Sequence, residues 1–261
     1  MTTAPQDATP STAPSPLPDI HKLSLGDLMD ALQDGIADFR AVPIYGLFFA
    51  GIYVVAGLIL VGLGAGAFTW TLALSLGFPL AAPFLAVGLY EVSRRRANGQ
   101  PFGFTDILGV VWNERTRQVP WAGGVIVIYF LFWTFLAHML FAMFMGPQAL
   151  MNPPDDWRTY LSGAGLAMAV IELIVGGALA FLLFGMTVVS LPMLLDKEVD
   201  FVTAMRLSLA ATRANLPVMV VWAAMIAVLT LGAMVPWFLG LFLVLPILGH
   251  ASWHLYRRVL H

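Results

Sequence analysis

The segment from Leu216 to Tyr256 contains no Asp, Glu, Lys or Arg. A helix that crosses the roughly 30 Å hydrocarbon core of a bilayer needs about 20 apolar residues, so this segment is about twice as long as one spanning helix. We therefore expect two spans, at residues 216–235 and 237–256, joined by a tight turn at Pro236 and Trp237. A chain with such a hairpin is an integral membrane protein.

The composition of the whole chain supports this class. Hydrophobic residues make up 59% of the 261 residues and charged residues 11%, against about 25% charged in soluble domains. A soluble enzyme, a nucleic-acid-binding protein and a fibrous protein are therefore excluded. The chain has no cysteine, which excludes disulfides, thiolate metal sites and cysteine nucleophiles. Four more apolar stretches predict an all-α, polytopic bundle of six transmembrane helices, with the remaining spans at about 44–67, 69–92, 119–145 and 161–191.

The basic residues predict the orientation of this bundle. Of the 13 Lys and Arg residues, only Arg158 falls in a segment on the outer side if the N-terminus is cytoplasmic. Cytoplasmic segments of membrane proteins carry an excess of Lys and Arg. We therefore expect both termini in the cytoplasm. Trp121, Trp157, Trp237 and Trp253 fall near predicted span ends, as in an interfacial aromatic belt.

The residues before the first span divide into two parts. Residues 1–22 are rich in Pro, Ser, Thr and Ala, which predicts a disordered cytoplasmic tail. Residues 23–42 predict an amphipathic helix that begins after Ser24 and ends before Pro43. One side of it carries acids at helical spacing, namely Asp27, Asp30, Asp34 and Asp38. Anionic lipid repels such a face, so we expect it to dock on a basic surface such as Arg94–Arg96 or to remain solvated.

Two polar segments form a weak internal repeat. Residues 102–117 follow the second span and residues 198–213 follow the fourth, and each pattern indicates a short amphipathic helix. The transmembrane domain, residues 43–258, is thus expected to carry two cytoplasmic interfacial helices. Both copies run from inside to inside, which argues against inverted-repeat transporter folds.

Three strings at the cytoplasmic ends of the spans carry a resemblance. They are Pro83–Arg95, Ser190–Asp196 and the C-terminal string that runs through GHASWHLYR, Gly249–Arg257. Together they resemble a family of predicted bacterial integral membrane proteins of unknown function, over about residues 25 to 258. The middle string is also loosely similar to the membrane domains of glycerophosphodiester phosphodiesterases. The resemblance implies a six-helix protein of the bacterial inner membrane and no particular activity. Some relatives are labelled cytochrome c oxidase subunit I, but this chain has too few helices and intramembrane histidines for that role.

Two ionisable residues lie inside predicted spans. Glu172 is in the fourth span and His138 in the third, at depths that allow a hydrogen bond between neighbouring helices. Ionisable groups within a span are expensive and mark functional sites by default. One interpretation is a proton-linked or substrate-binding pair, and the other is a structural hydrogen bond or a protonated Glu172.

A second group of polar residues is predicted at the cytoplasmic face. His250 and His254 share one helix face and, with Glu91, offer metal-ligand geometry. The interpretation we prefer is a structural cluster that satisfies broken helix ends after Pro83, Pro192 and Pro246, without metal or cofactor. Its expected members are Glu91, Arg94, Asp196, Arg206, Asn215, His250, His254 and Arg257.

Gly62 and Gly66 match the GxxxG pattern of close helix packing, within the bundle or against a partner. No phosphate-binding, hydrolase or metalloprotease motif is present. The sequence therefore favours a non-enzymatic protein in the lipid bilayer. We expect an accessory or assembly subunit of a larger membrane complex, such as a respiratory or another energy-transducing complex. The alternative is a small transporter or lipid-handling protein that uses Glu172 and His138.

Overall fold

The computed structural model describes residues 18–66, 69–70, 73–154 and 156–260, and every regular element among them is helical. The α-helices are α1 (Leu25–Ala41), α2 (Pro43–Gly62), α3 (Phe78–Ala97), α4 (Phe104–Glu114), α5 (Val119–Met145), α6 (Gly163–Thr187), α7 (Ser190–Asp196), α8 (Phe201–Ala214), α9 (Leu216–Met234) and α10 (Leu241–Leu260). A π-helical turn, Ala73–Gly77, leads into α3, and two short 3₁₀ turns, Pro147–Leu150 and Trp157–Leu161, lie between α5 and α6. The predicted all-α class is confirmed.

Among the described residues, four helical segments are long and apolar enough to cross a membrane. They are α2, α5, the combined α6 and α7, and α9. Only 6% of the most apolar window in Gly163–Asp196 is buried inside the protein, and large side chains such as Leu173 and Phe135 are about three-quarters and two-thirds exposed (77% and 69%). Such extensive exposed apolar surface is what a lipid-facing helix presents.

The predicted second and sixth spans correspond to α3 and α10, which end in charged residues. Arg94–Arg96 close α3, and Arg257 and Arg258 lie in the last turn of α10. The structure places α10 at the centre, in contact with α1, α2, α3 and α9. A length-and-hydropathy criterion therefore identifies four spans, and the count of six stays a prediction.

The three prolines predicted to break helices differ in effect. Pro83 and Pro246 lie inside continuous helices, so the predicted helix breaks at these residues are wrong. The chain does break between α6 and α7, just before Pro192, whose missing N–H cannot continue the ladder. There the carbonyl of Gly185 accepts hydrogen bonds from Ser208 Oγ at 2.7 Å and Thr212 Oγ1 at 3.4 Å, both on α8.

The predicted tight turn joins α9 to α10. Trp237 and Phe238 adopt positive φ values of 54° and 64°, which bulky residues rarely do. These two residues reverse the chain within a few positions, so α10 begins at Leu241 rather than at residue 237.

The buried core lies mainly at one end of the bundle. Trp222, Trp253, Tyr256, Met193 and Met219 are its large members, all almost completely inaccessible. Trp253 therefore does not belong to an aromatic belt, whereas the other predicted belt residues, Trp121, Trp157 and Trp237, are 63–66% exposed. Buried aromatic rings at this end hold α7–α10 and α1 together.

The predicted amphipathic helices are all present. Ser24 and Asp27 form a capping box at the start of α1, and α8 buries Ala204, Met205 and Ser208 while Arg206 points outward. Residues 1–17 of the predicted tail lie outside the described residues. Its last part is hydrogen-bonded: the amide of His21 donates to Val259 at 2.8 Å and Lys22 Nζ to Ala214 at 2.5 Å.

Candidate functional site

Helix α1 docks on α10 through the acidic stripe. Asp34 pairs with Arg258 at 2.7 Å, and Asp38 accepts from His254 Nε2 at 2.8 Å. Asp38 also pairs with Arg96 of α3 at 3.0 Å, so the predicted docking on the Arg94–Arg96 surface is correct for this arginine. The stripe thus meets basic groups of its own chain.

Gly35 permits the close approach of α1 to α10. A Cβ built on Gly35 would lie 2.6 Å from the amide nitrogen of Ala251 and 2.7 Å from the carbonyl oxygen of Ile247. These are backbone atoms of α10 that cannot rotate away. Gly35 therefore brings Asp34 and Asp38 within reach of His254 and the arginines.

Asp38 is 6% exposed, and its electrostatics follow from its partners. Burial by itself raises the pKa of this carboxyl, but hydrogen bonds from His254 and Ser93 and the charge of His254 outweigh it. The pKa of Asp38 is therefore below the ordinary 3.8 of an aspartic acid. The carboxylate form is the one that this site stabilises.

Glu91 and Ser93 extend the network across α3. Glu91 is fully buried and binds Arg94 and Arg95, each at 2.6 Å. Ser93 Oγ is hydrogen-bonded to His250 Nδ1 of α10 at 2.8 Å, and both residues are fully buried. The hydrogen bond between Ser93 and His250 therefore fixes α3 against α10.

Asn215 and Asp196 form structural hydrogen bonds at the same end of the bundle. Asn215 Oδ1 accepts the amide of Leu23 at 2.7 Å, and its Nδ2 donates to the carbonyl of His21 at 3.0 Å. Asp196 at the end of α7 accepts from Tyr256 Oη at 2.8 Å. The predicted cluster thus contains true structural contacts at Asn215 and Asp196.

Other predicted members of the cluster separate from it. Arg206 lies exposed on the outer face of α8, and Arg257 is half-buried. His254 binds Asp38 rather than joining His250 and Glu91, and within the described part of the chain no three His, Asp or Glu side chains are grouped as metal ligands. The cluster has five further members that were not predicted from the sequence: Asp34, Asp38, Ser93, Arg95 and Arg258. The acidic stripe of α1 was the signal for the first two.

A second ion-pair group links the segments around α4 and α8. Arg117, after α4, binds Glu114 at 2.6 Å and also Glu198, just before α8. Burial raises the pKa of Glu114, and the charge of Arg117 only partly offsets this. The two copies of the weak repeat are therefore in direct contact.

The predicted intramembrane pair lies away from the network. His138 on α5 is exposed, and its Nδ1 contacts the carbonyl of Thr134 at 2.7 Å. Glu172 on α6 is partly exposed and interacts electrostatically with His138. No hydrogen bond or ion pair joins the two within the described residues, and their exposure places both at the surface of the bundle.

The predicted packing role of Gly62 and Gly66 is wrong within the bundle. A Cβ on either would meet no described residue within 4 Å, because α2 ends at Gly62 and the following residues form a turn. Close packing occurs instead at other glycines: a Cβ on Gly46 would meet Pro246 at 2.7 Å, and one on Gly249 would meet Leu89 at 2.5 Å.

The other half of the bundle contains a cavity of about 770 Å³ between α2, α3, α5, α9 and α10. It extends along α10 from Leu241 to Ser252, which is about 16 Å at 1.5 Å per residue. Among the described residues the lining contains no charged side chain, and besides Ser252 its polar side chains are Tyr53, Trp70 and Thr230. This lining offers van der Waals contact over a long, narrow volume.

A second cavity of about 460 Å³ lies between α5 and α6. It shares Phe130, Ile226 and Ser252 with the first cavity, and its own lining includes Trp133 and Gly176. The two cavities therefore meet beside Ser252, one turn of α10 before the polar network reaches Tyr256.

Comparison with known families agrees with the membrane class. Residues 71–196 match the model of a family described as "Predicted integral membrane protein (DUF2189)". The matched residues include α3 to α7, and the C-terminal string Gly249–Arg257 lies beyond them. No curated protein and no solved structure is significantly similar to the chain. The chain is thus similar to an integral membrane protein family of unknown function.

Proposed function

We propose that this protein is a lipid-handling membrane protein that holds acyl chains in the cavity between α2, α3, α5, α9 and α10. The observation that carries the proposal is the uncharged, almost wholly apolar lining of a 770 Å³ cavity. Ligand sites typically measure about 300–1,000 Å³. The proposal assigns binding rather than catalysis.

Hydrocarbon is the occupant that fits the lining best. Apolar cavities do not hold water, because water needs two or more polar partners. Empty space forfeits the dispersion contacts of the atoms around it. In a bilayer the nearest filler is an acyl chain, and the elongated cavity along α10 matches its shape. Inside a membrane the affinity comes from packing rather than from the hydrophobic effect.

This proposal relocates the lipid-handling site predicted from sequence. Glu172 and His138 do not line either cavity. The accessory-subunit hypothesis has less support, because the acidic stripe of α1 is occupied by contacts with α10 of the same chain. A transporter needs a polar path, and the lining of the larger cavity is apolar.

We further infer six spans in a bacterial inner membrane with both termini cytoplasmic. The observation behind this is the charge distribution, since α3 and α10 both end in arginines on the side where the other basic residues gather. Because the chain has no cysteine, single cysteines can be introduced and tested with an impermeant thiol reagent. A label that reaches the C-terminus of α10 only after permeabilisation supports the orientation.

Filling the cavity tests the lipid function. We expect lipid to co-purify with the wild-type protein and Ala82→Phe, in the lining, to lose most of it, as measured by mass spectrometry of extracted lipid. Ala81→Phe is the matched control, because Ala81 neighbours it on α3 outside the lining. Wild-type protein without bound lipid, or equal lipid in both variants, would refute the function.

A further inference from the structure

We propose that the face of α5 and α6 around Glu172 and His138 binds a second copy of this chain, with Glu172 of each copy hydrogen-bonded to His138 of the other. The lipid cavity plays no part in this inference. It concerns the two ionisable residues that neither the polar network nor the cavities use.

The depth of Glu172 and His138 in the membrane makes this face unusual. Glu172 is nine residues from the start of α6 at Gly163, or about 14 Å along the helix, and His138 is seven residues from the end of α5 at Met145, or about 10 Å. Both therefore lie well inside a hydrocarbon core of about 30 Å. Ionisable residues at such depths almost always face protein or a water-filled cavity.

Their surroundings within one chain do not provide that environment. Leu173 and Ile174 beside Glu172 are 77% and 65% exposed, and Phe135 beside His138 is 69% exposed. These large apolar side chains show that the face points away from the bundle. The carboxyl group of Glu172 has no hydrogen bond within the described residues.

The hydrogen-bonding groups on this face complement each other. A carbonyl oxygen can only accept, so the contact of His138 with the carbonyl of Thr134 makes Nδ1 the donor. In the neutral imidazole Nε2 is then an acceptor, and it has no partner among the described residues. A protonated Glu172 is a donor that lacks an acceptor. The face therefore offers one donor and one acceptor to whatever covers it.

A second copy meets both requirements at once. In a two-fold interface residue i contacts j and j contacts i, so Glu172 donates to the partner's His138 and His138 accepts from the partner's Glu172. An axis along the membrane normal keeps the depths of the two residues, which differ by only two residues of helix, or about 3 Å. An acyl chain offers neither a donor nor an acceptor.

Native mass spectrometry in mild detergent, over a range of protein-to-detergent ratios, measures the dimer. We expect wild-type protein to dimerise and Glu172→Leu or His138→Leu to weaken association roughly tenfold, since each removes both symmetric hydrogen bonds. Glu172→Gln is expected to retain the dimer, because its amide still donates to Nε2. Val228→Leu, 70% exposed on α9, is the matched control and is expected to have no effect.

Mixing the two leucine variants distinguishes an intermolecular pair from an intramolecular one. A heterodimer of the Glu172→Leu and His138→Leu chains contains one intact Glu172–His138 pair, so the mixture should recover association. An intramolecular pair cannot be restored by mixing. Monomeric wild-type protein, leucine variants that associate normally, or a mixture without recovery would each overturn the proposal.

Discussion

The two ends of the bundle are built on opposite principles. At one end, α1, α3 and α10 approach closely through Gly35 and bury Glu91, Ser93 and His250 in a hydrogen-bonded network. At the other end, helices that contact few charges surround a 770 Å³ apolar cavity. Buried polar groups fix geometry, because each must find its partner. We infer that the polar end determines the fold and leaves the apolar end free to bind.

The two ends meet on α10. Gly249 packs against Leu89 and also lines the cavity, whereas its neighbour His250 binds Ser93. A change at the polar end should therefore disturb stability first and lipid binding second, and a change in the cavity lining should do the reverse. The following predictions test this division, from the largest effect to the smallest.

Asp38→Ala should produce the largest loss of stability. It removes the partner of His254 and Arg96 at a site where the carboxylate is 6% exposed, and breaking a buried pair costs about 3–5 kcal/mol. Thermal unfolding in detergent, followed by circular dichroism, should show a markedly lower midpoint. Asp30→Asn, at an exposed position of the same helix, should change the stability by less than about 0.5 kcal/mol. Equal midpoints for the two variants would show that the network does not determine the fold.

Gly35→Ala should cost about 1–3 kcal/mol, because the added methyl group overlaps the backbone of α10 and overpacking forces the helices apart. Gly62→Ala is the matched control, since a Cβ there meets nothing within 4 Å among the described residues. Because Gly62 is the last residue of α2, this change should alter the stability by less than about 0.5 kcal/mol. The unfolding midpoint should therefore fall for Gly35→Ala and stay nearly constant for Gly62→Ala, and equal shifts would contradict the packing of α1 on α10.

Lowering the pH should weaken the docking of α1 on α10. The loss of stability should be smaller than that of Asp38→Ala, because a protonated carboxyl group still forms hydrogen bonds. The folded pKa of Asp38 is lowered, so the stability it contributes is present above the ordinary aspartate pKa and is lost as pH falls through the folded value. The groups that face it are His254 and His250 of α10, and Ser93 and Arg96 of α3.

A single label measures this release. The chain contains no cysteine, so an environment-sensitive dye on Asp30→Cys reports the docking of α1. We expect its signal to change below about pH 4. Adding Asp38→Asn should remove this step, and a step that persists in that variant would assign it to another group.

Arg206→Gln should have the smallest effect. Arg206 is exposed on α8 without a hydrogen bond or ion pair among the described residues, so its stability should change by less than about 0.5 kcal/mol. Lipid content should also be unchanged, because Arg206 lines neither cavity. A large loss in either measurement would place Arg206 in the polar network after all.

The sequence predicted the secondary-structure elements better than the contacts between them. Uncharged segments, the Asp stripe and the turn at Trp237 reflect local rules, namely hydrophobic length, helical period and chain breaks. These rules correctly indicated the helices and the docking of α1. They could not show that Pro83 and Pro246 sit inside continuous helices, because a tertiary environment determines whether a proline interrupts a helix.

The site was only partly predictable for a related reason. Glu91, Asn215 and Asp196 stood out as polar residues near span ends. Ser93 and Gly35 did not, because their roles come from which helices become neighbours. The cavity has no sequence signal, since its apolar lining resembles any lipid-facing surface. Gly62 and Gly66 match a packing pattern, but the helix ends before the pattern is complete.

The most direct test of the central claim is a cryo-electron microscopy structure of the wild-type protein in nanodiscs of one defined phospholipid. The lipid-handling account predicts elongated density of an acyl chain between α2, α3 and α10, running beside Leu241 toward Ser252. A cavity that is closed by helix movement, or that contains only separated water peaks, would contradict it.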